Sequence, residues 1–160
     1  MLTVLHVTGE TMAGDTVYLC EKPSQARDIA RILGATNKTK HYLFGGGITV
    51  TWCFGHLLEM ASPDQYGEQY KRWSLETLPI IPDQWRLAVR PKVKAQYNAI
   101  ERLLGQAGHV VVATDADREG EMIAREILDR CGFRGRVSRL WLSALDDASI
   151  RTALRQLKDG

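Results

Sequence analysis

Val110-Val111-Val112-Ala113-Thr114-Asp115-Ala116-Asp117-Arg118-Glu119-Gly120-Glu121 is the stretch that decides how this chain is read. Four apolar residues in succession fit a strand buried on both faces, and such strands belong to parallel sheets covered by helices. Two aspartates follow where the strand must end. Neighbouring side chains alternate sides within a strand, so residues two apart share a face, and in the turn after it they can converge on one point. Converging carboxylates repel unless a cation or a shared proton offsets the charge. Mg2+ suits that place: it is a hard ion often held by one or two carboxylates, with water and substrate phosphate completing its shell. The plainer reading is an acidic, solvated helix start, because Glu119 and Glu121 favour a first helical turn on dipole grounds. The whole D-A-D-R-E-G-E string is more specific than a bare D-x-D, and it points to metal-dependent phosphate chemistry.

Working outward, Pro91 opens a helix whose buried stripe is Val93, Tyr97, Ile100 and Leu104, leading to the strand 109–114. A helix from about Glu119 buries Ala124, Ile127, Leu128 and Cys131. A short strand at 137–141 leads to a last helix with Ile150, Ala153, Leu154 and Leu157 on one stripe, expected to run nearly to Gly160. Upstream, Thr16-Val17-Tyr18-Leu19-Cys20 reads as a strand, and Ala26, Ile29, Ala30 and Leu33 form a helical stripe that Gly34 stops. Tyr42 to Trp52, with Gly45-Gly46-Gly47 at its centre, reads as a β-hairpin. Residues 62–91 are irregular and hold Pro63, Pro79, Pro82 and Pro91 beside Tyr66, Tyr70, Trp73 and Trp85. So aromatic a stretch is expected to pack on the domain, with Trp73 and Trp85 as packing residues rather than base-stacking ones.

At 160 residues the chain suits one domain with a real core. Its 44% hydrophobic and 25% charged content are ordinary for a globular protein, and a net charge of +2 neither demands nor excludes nucleic acid. Cys20, Cys53 and Cys131 lack metal-type spacing and are odd in number, which suits a reducing cytoplasm. No apolar run reaches membrane-spanning length, so no membrane role is expected. Residues 1–15 are polar and aperiodic and are expected to be a flexible extension, with residues 16–160 forming the folded unit.

Strands alternating with helices predict an α/β fold: a mainly parallel central sheet, helices on both faces and a β-hairpin. Working sites in such sheets lie beyond the carboxyl ends of the strands. Glu21 ends the first strand and Asp115 ends the central one, so two distant blocks are predicted to meet at one edge.

Glu21-Lys22-Pro23-Ser24, Gly55-His56-Leu57-Leu58-Glu59 and Asp115-Ala116-Asp117-Arg118-Glu119-Gly120 together resemble the Rossmann-like Toprim fold. Trp73, Leu78-Pro79-Ile80, Pro82 and Trp85 narrow the resemblance to bacterial type IA DNA topoisomerases of the topoisomerase III kind. The resemblance runs from about Val17 to the last helix. It implies an isomerase in which a tyrosine attacks a DNA phosphodiester, is held as a 5′-phosphotyrosine, and releases a 3′-hydroxyl until religation. The tyrosine of that family lies in a Tyr-Pro-Arg context. Tyr18, Tyr42, Tyr66, Tyr70 and Tyr97 have no such context here, so the chain is expected to be one domain of a longer protein and inactive alone in relaxing DNA.

The same resemblance implies the roles. Asp115 and Asp117 are the expected Mg2+ ligands (Mn2+ as a substitute), with Glu119 a third acidic member. Glu21 is the expected general acid for the leaving 3′-oxygen and the base in religation, with transient metal contact at most. Lys22 is expected to contact the scissile phosphate. Arg118 either grips a phosphate or neutralises the aspartates. His56 either faces DNA or is hydrogen-bonded in a polar interior. Arg86, Arg90, Lys92 and Lys94 form a possible phosphate-binding edge or a solvated face. The implied partners are single-stranded DNA and further topoisomerase domains carrying the tyrosine, in a bacterial cytoplasm at the nucleoid. Two alternatives stand beside this: a stand-alone Toprim nuclease or primase-type enzyme, and a non-catalytic DNA-binding module.

Overall fold

The computed structural model describes residues 15–160. Of the expected extension at residues 1–15, residues 1–14 lie outside the described residues, while the Asp15 carbonyl accepts from the backbone N–H groups of Gly108 and His109, each at 3.1 Å.

Nine strands and four α-helices follow one another along the described residues. They are β1 (Thr16–Cys20), α1 (Pro23–Leu33), β2 (Asn37–Lys38), β3 (Tyr42–Gly45), β4 (Ile48–Trp52), β5 (Leu58–Met60), β6 (Leu87–Val89), α2 (Lys94–Leu104), β7 (His109–Ala113), α3 (Arg118–Arg130), β8 (Arg136–Arg139), α4 (Asp147–Leu154) and β9 (Lys158–Asp159). Seven strands form one sheet in the order β2-β3-β4-β1-β7-β8-β9, with β4, β1, β7 and β8 parallel and the outer strands antiparallel. The mainly parallel sheet is as expected.

The apolar runs of β1 and β7 feed two cores. Val17, Leu19, Val110 and Val112 face Tyr97, Ile100 and Leu103 of α2 and Ile123, Ala124 and Ile127 of α3. Tyr18, Cys20, Val111 and Ala113 face Ala26, Ile29 and Ala30 of α1 and Ile150 of α4. Period-two alternation in a strand buried on both sides gives this three-layer arrangement directly. The β3–β4 hairpin turns at Gly46 and Gly47, with φ of 58° and 77°. Two consecutive positive φ values match the right-handed twist of the strands and favour glycine.

Three expectations are corrected. The last helix ends at Leu154 rather than near Gly160: Arg155 and Gln156 close it with i→i−3 bonds, and Lys158–Asp159 pairs with β8 instead. That rung covers the outer edge of β8, and Leu157 is left partly exposed. The 62–91 segment is less packed than expected. Trp73 is 72% exposed and Trp85 63%, although Trp85 meets the Tyr66 ring edge-on at 6.3 Å. Its Leu87–Val89 pairs with Leu58–Met60 as a separate two-stranded ribbon. The helix from Pro91 begins as a 3-10 turn, Pro91–Val93, before α2. Among the described residues, no helix is long and apolar enough to cross a membrane.

Candidate metal and phosphate site

Cys20 and Ala113 are register partners at the ends of β1 and β7, so the chain leaves both strands side by side. Glu21 Oε2 accepts the backbone N–H of Asp115 at 3.1 Å. Lys22 Nζ lies 2.8 Å from Asp115 Oδ2 and 4.0 Å from Glu21 Oε1. The two predicted blocks therefore meet at the carboxyl edge. Glu21 is largely shielded, its side chain 14% exposed, whereas Lys22 is half exposed. The Asp115 hydrogen bond and charge raise the Lys22 ammonium above its ordinary pKa.

Gln25 completes this contact, and sequence reasoning missed it. It is 1% exposed on the first turn of α1. Its Oε1 accepts the Glu21 N–H at 2.9 Å and its Nε2 donates to Asp115 Oδ1 at 3.1 Å. A glutamine at the third helical position can reach back past the helix start, here to the N–H of the residue before the N-cap Lys22, and its place after Lys22-Pro23 was the available signal.

Asp117 takes the plainer role alongside any other: it is the N-cap of α3, with Oδ1 accepting the Gly120 N–H at 2.7 Å. Arg118 and Glu119 are exposed on the first turn of α3. Gly120 is buried against the Asp115 turn. A Cβ there would meet the Asp115 carbonyl oxygen and lie 2.9 Å from the Asp115 nitrogen, so glycine is what lets α3 start this close. No group of three or more His, Cys, Asp or Glu side chains is gathered as a metal cage among the described residues.

The Gly55-His56 loop is tied to the same edge, Cys53 N–H donating to the Cys20 carbonyl at 2.8 Å and Gly55 N–H to that of Glu21 at 3.4 Å. His56 is half-buried, its Nδ1 3.0 Å from Glu126 Oε2 on α3, while Arg90 Nη1 donates to the His56 carbonyl at 3.2 Å. Of the basic run, Arg90 also approaches Glu59 at 3.7 Å and Arg86 covers the Tyr66 ring at 5.6 Å, while Lys92 and Lys94 are exposed. Tyr18, Tyr42 and Tyr97 are buried in the cores, and Tyr66 and Tyr70 stand on the 62–91 excursion.

The chain is similar to known proteins. The Toprim domain family matches residues 16–145. The DNA topoisomerase 3 of Shouchella clausii (strain KSM-K16) is 47% identical over 144 residues, which are 89% of this chain and 20% of that protein. The DNA topoisomerase 3 of Bacillus subtilis (strain 168) is 42% identical over 147 residues, 91% of this chain and again 20% of the relative. The chain thus spans a fifth of the length of the curated relatives it matches. Among solved structures, full-length topoisomerase I from Thermotoga maritima superposes with a TM-score of 0.58 at 22% identity, over 89% of this chain and 21% of that one. That likeness bears on the fold. With its paired blocks at one sheet edge and the match across nearly all of its described length, this chain belongs to the Toprim domain family.

Proposed function

We propose that this domain is the metal-binding, acid-bearing part of a bacterial type IA DNA topoisomerase of the topoisomerase III kind. It acts on single-stranded DNA in the cytoplasm at the nucleoid, together with further domains that carry the tyrosine. The observation that carries this reading is the meeting of Glu21, Lys22 and Asp115 across two sheet strands. Burial of three tyrosines in the cores supports a nucleophile from elsewhere.

The donor set fits Mg2+. Every candidate ligand is a hard carboxylate oxygen, and the Lys22 ammonium already sits against Asp115 as a cation does. Asp115 and Asp117 would hold the ion, with Glu119 and transiently Glu21 beside them. Substrate phosphates complete the shell of an ion held by one or two carboxylates. Bound there, Mg2+ would offset the charge of the DNA phosphates.

The chain's own residues do the rest. A tyrosine oxygen from the other domain, its proton released to water, attacks phosphorus as the bond to the 3′-oxygen breaks, and it regains a proton from water on religation. Glu21 delivers its proton to the 3′-oxygen and takes it back when the 3′-hydroxyl attacks in religation. Glu21 Oε2 is held by the Asp115 N–H, which leaves Oε1 for that transfer. Lys22, half exposed, turns from Asp115 to the scissile phosphate and stabilises charge developing there.

An NMR titration of this chain with Mg2+ and then a short single-stranded DNA tests the reading. Shifts at Glu21, Asp115 and Asp117 that vanish in Asp115→Asn are expected. No response at millimolar Mg2+ with DNA present would sink it, and nicking of DNA by this chain alone would favour the nuclease alternative.

A further inference from the structure

The last rung between β7 and β8 is Leu140 N–H to the Val112 carbonyl, at 2.8 Å. The carbonyls of Thr114 and Asp115 lie past it, where the ladder no longer serves them. Arg139, on β8 and 5% exposed, reaches them from the side. Its Nη1 donates to the carbonyl oxygens of Val112 at 3.1 Å, Thr114 at 2.9 Å and Leu140 at 3.1 Å. Its Nη2 donates to that of Asp115 at 2.7 Å. The Nε lies 3.2 Å from Glu121 Oε2, an ion pair without hydrogen-bond alignment. The guanidinium carbon stands 5.8 Å from the centre of the Trp141 ring. One rigid fork ties β8, the end of β7 and the first turn of α3 around the aspartate turn.

Burying a cation is poor evidence for stability, because its desolvation offsets most of what its contacts return and an apolar side chain would fill the space. What an apolar side chain would not do is fix four carbonyls. A lysine would not either, since its ammonium is a point charge with three donors, whereas arginine presents five in a plane.

We propose that Arg139 is a positioning residue for the carboxylate site. It holds the backbone of the Asp115 turn so that Asp115 and Asp117 are presented together, acting through that turn and not by touching metal or DNA. The inference deepens the Mg2+ reading above and rests on it.

Arg139→Lys tests it through amide hydrogen exchange and a titration with Mg2+ alone. Exchange across residues 115–120 is expected to rise at least about tenfold while β1 amides keep their protection, and Mg2+ affinity to fall by about ten- to a hundredfold, the usual effect of losing a residue that orients metal ligands. Exchange at 115–120 that rises only in step with β1 would show a merely structural arginine and overturn the proposal. If the variant does not fold, the parent chain decides: NMR of its Arg139 side chain is expected to show slow guanidinium rotation, and free rotation would overturn the proposal. A parent chain that ignores Mg2+ sinks the metal reading instead, and the exchange measurement still decides Arg139.

Discussion

Lys22 Nζ meets Asp115 Oδ2 at 2.8 Å, a contact between residues 93 positions apart. The ammonium holds the carboxylate that a divalent ion would need, so the two cations compete. Lys22→Met is expected to strengthen Mg2+ binding to this chain several-fold and to weaken binding of a short single-stranded DNA. Calorimetric titration with each ligand separates the effects, and an unchanged Mg2+ affinity would mean that Asp115 is not a ligand. The cost in stability should stay under about 1 kcal/mol, because the pair is solvent-screened. The Lys22 pKa is raised in the folded chain, so its contribution is full below the unfolded value of about 10.4 and is lost as pH rises through the folded one.

Gln25 is a buried amide with both ends engaged, one by the Glu21 N–H and one by Asp115 Oδ1. Gln25→Leu keeps the volume and removes both partners. A loss of about 1–3 kcal/mol is expected from the polar groups left unpaired in a partly buried site. Urea unfolding measures it. A neutral result would mean that water replaces the amide at no cost and that Gln25 does not brace the site.

The layers were legible because Val110, Val111, Val112 and Ala113 can only be buried on both faces, and a strand of that kind needs helices on each side. The meeting of Glu21 with Asp115 was legible for the same reason, since parallel strands end at a common edge. Arg139 was not. A lone arginine between Ser138 and Leu140 reads as a solvated side chain, and nothing local shows that a neighbouring strand ends beside it in need of donors. Gln25 was hidden likewise, its partner being 90 positions away. Three-residue strands such as Leu58–Met60 are too short for a period of two to stand out. The exposure of Trp73 was illegible because an apolar side chain records what would favour burial, not whether anything covers it.

Gly120→Ala sets two effects against each other. Alanine favours a helix over glycine by about 1 kcal/mol. Its methyl group, however, would press on the Asp115 carbonyl and nitrogen, which are backbone and cannot swing aside. Overpacking of a rigid contact costs about 1–3 kcal/mol, so a net loss is expected. Urea midpoints check the sign, and NMR of the 115–117 amides should show the turn displaced. A stabilised variant with an undisturbed turn would mean that α3 is free to shift away.

His109 gives the pH dependence. Its Nε2 lies 2.9 Å from Ser138 Oγ at the start of β7. Burial, and then the Arg136 guanidinium, lower its pKa, while Asp15 pulls weakly the other way. The unfolded chain then binds the proton more readily than the folded one. Stability from this residue is full above the unfolded value of about 6.5 and is lost as pH falls through the lowered folded value. His109→Gln keeps a donor for Ser138 and removes the titration. Urea unfolding on either side of about pH 6.5 should therefore show the parent chain losing more stability on acidification than the variant. Parallel losses in the two would assign the acid sensitivity to other groups.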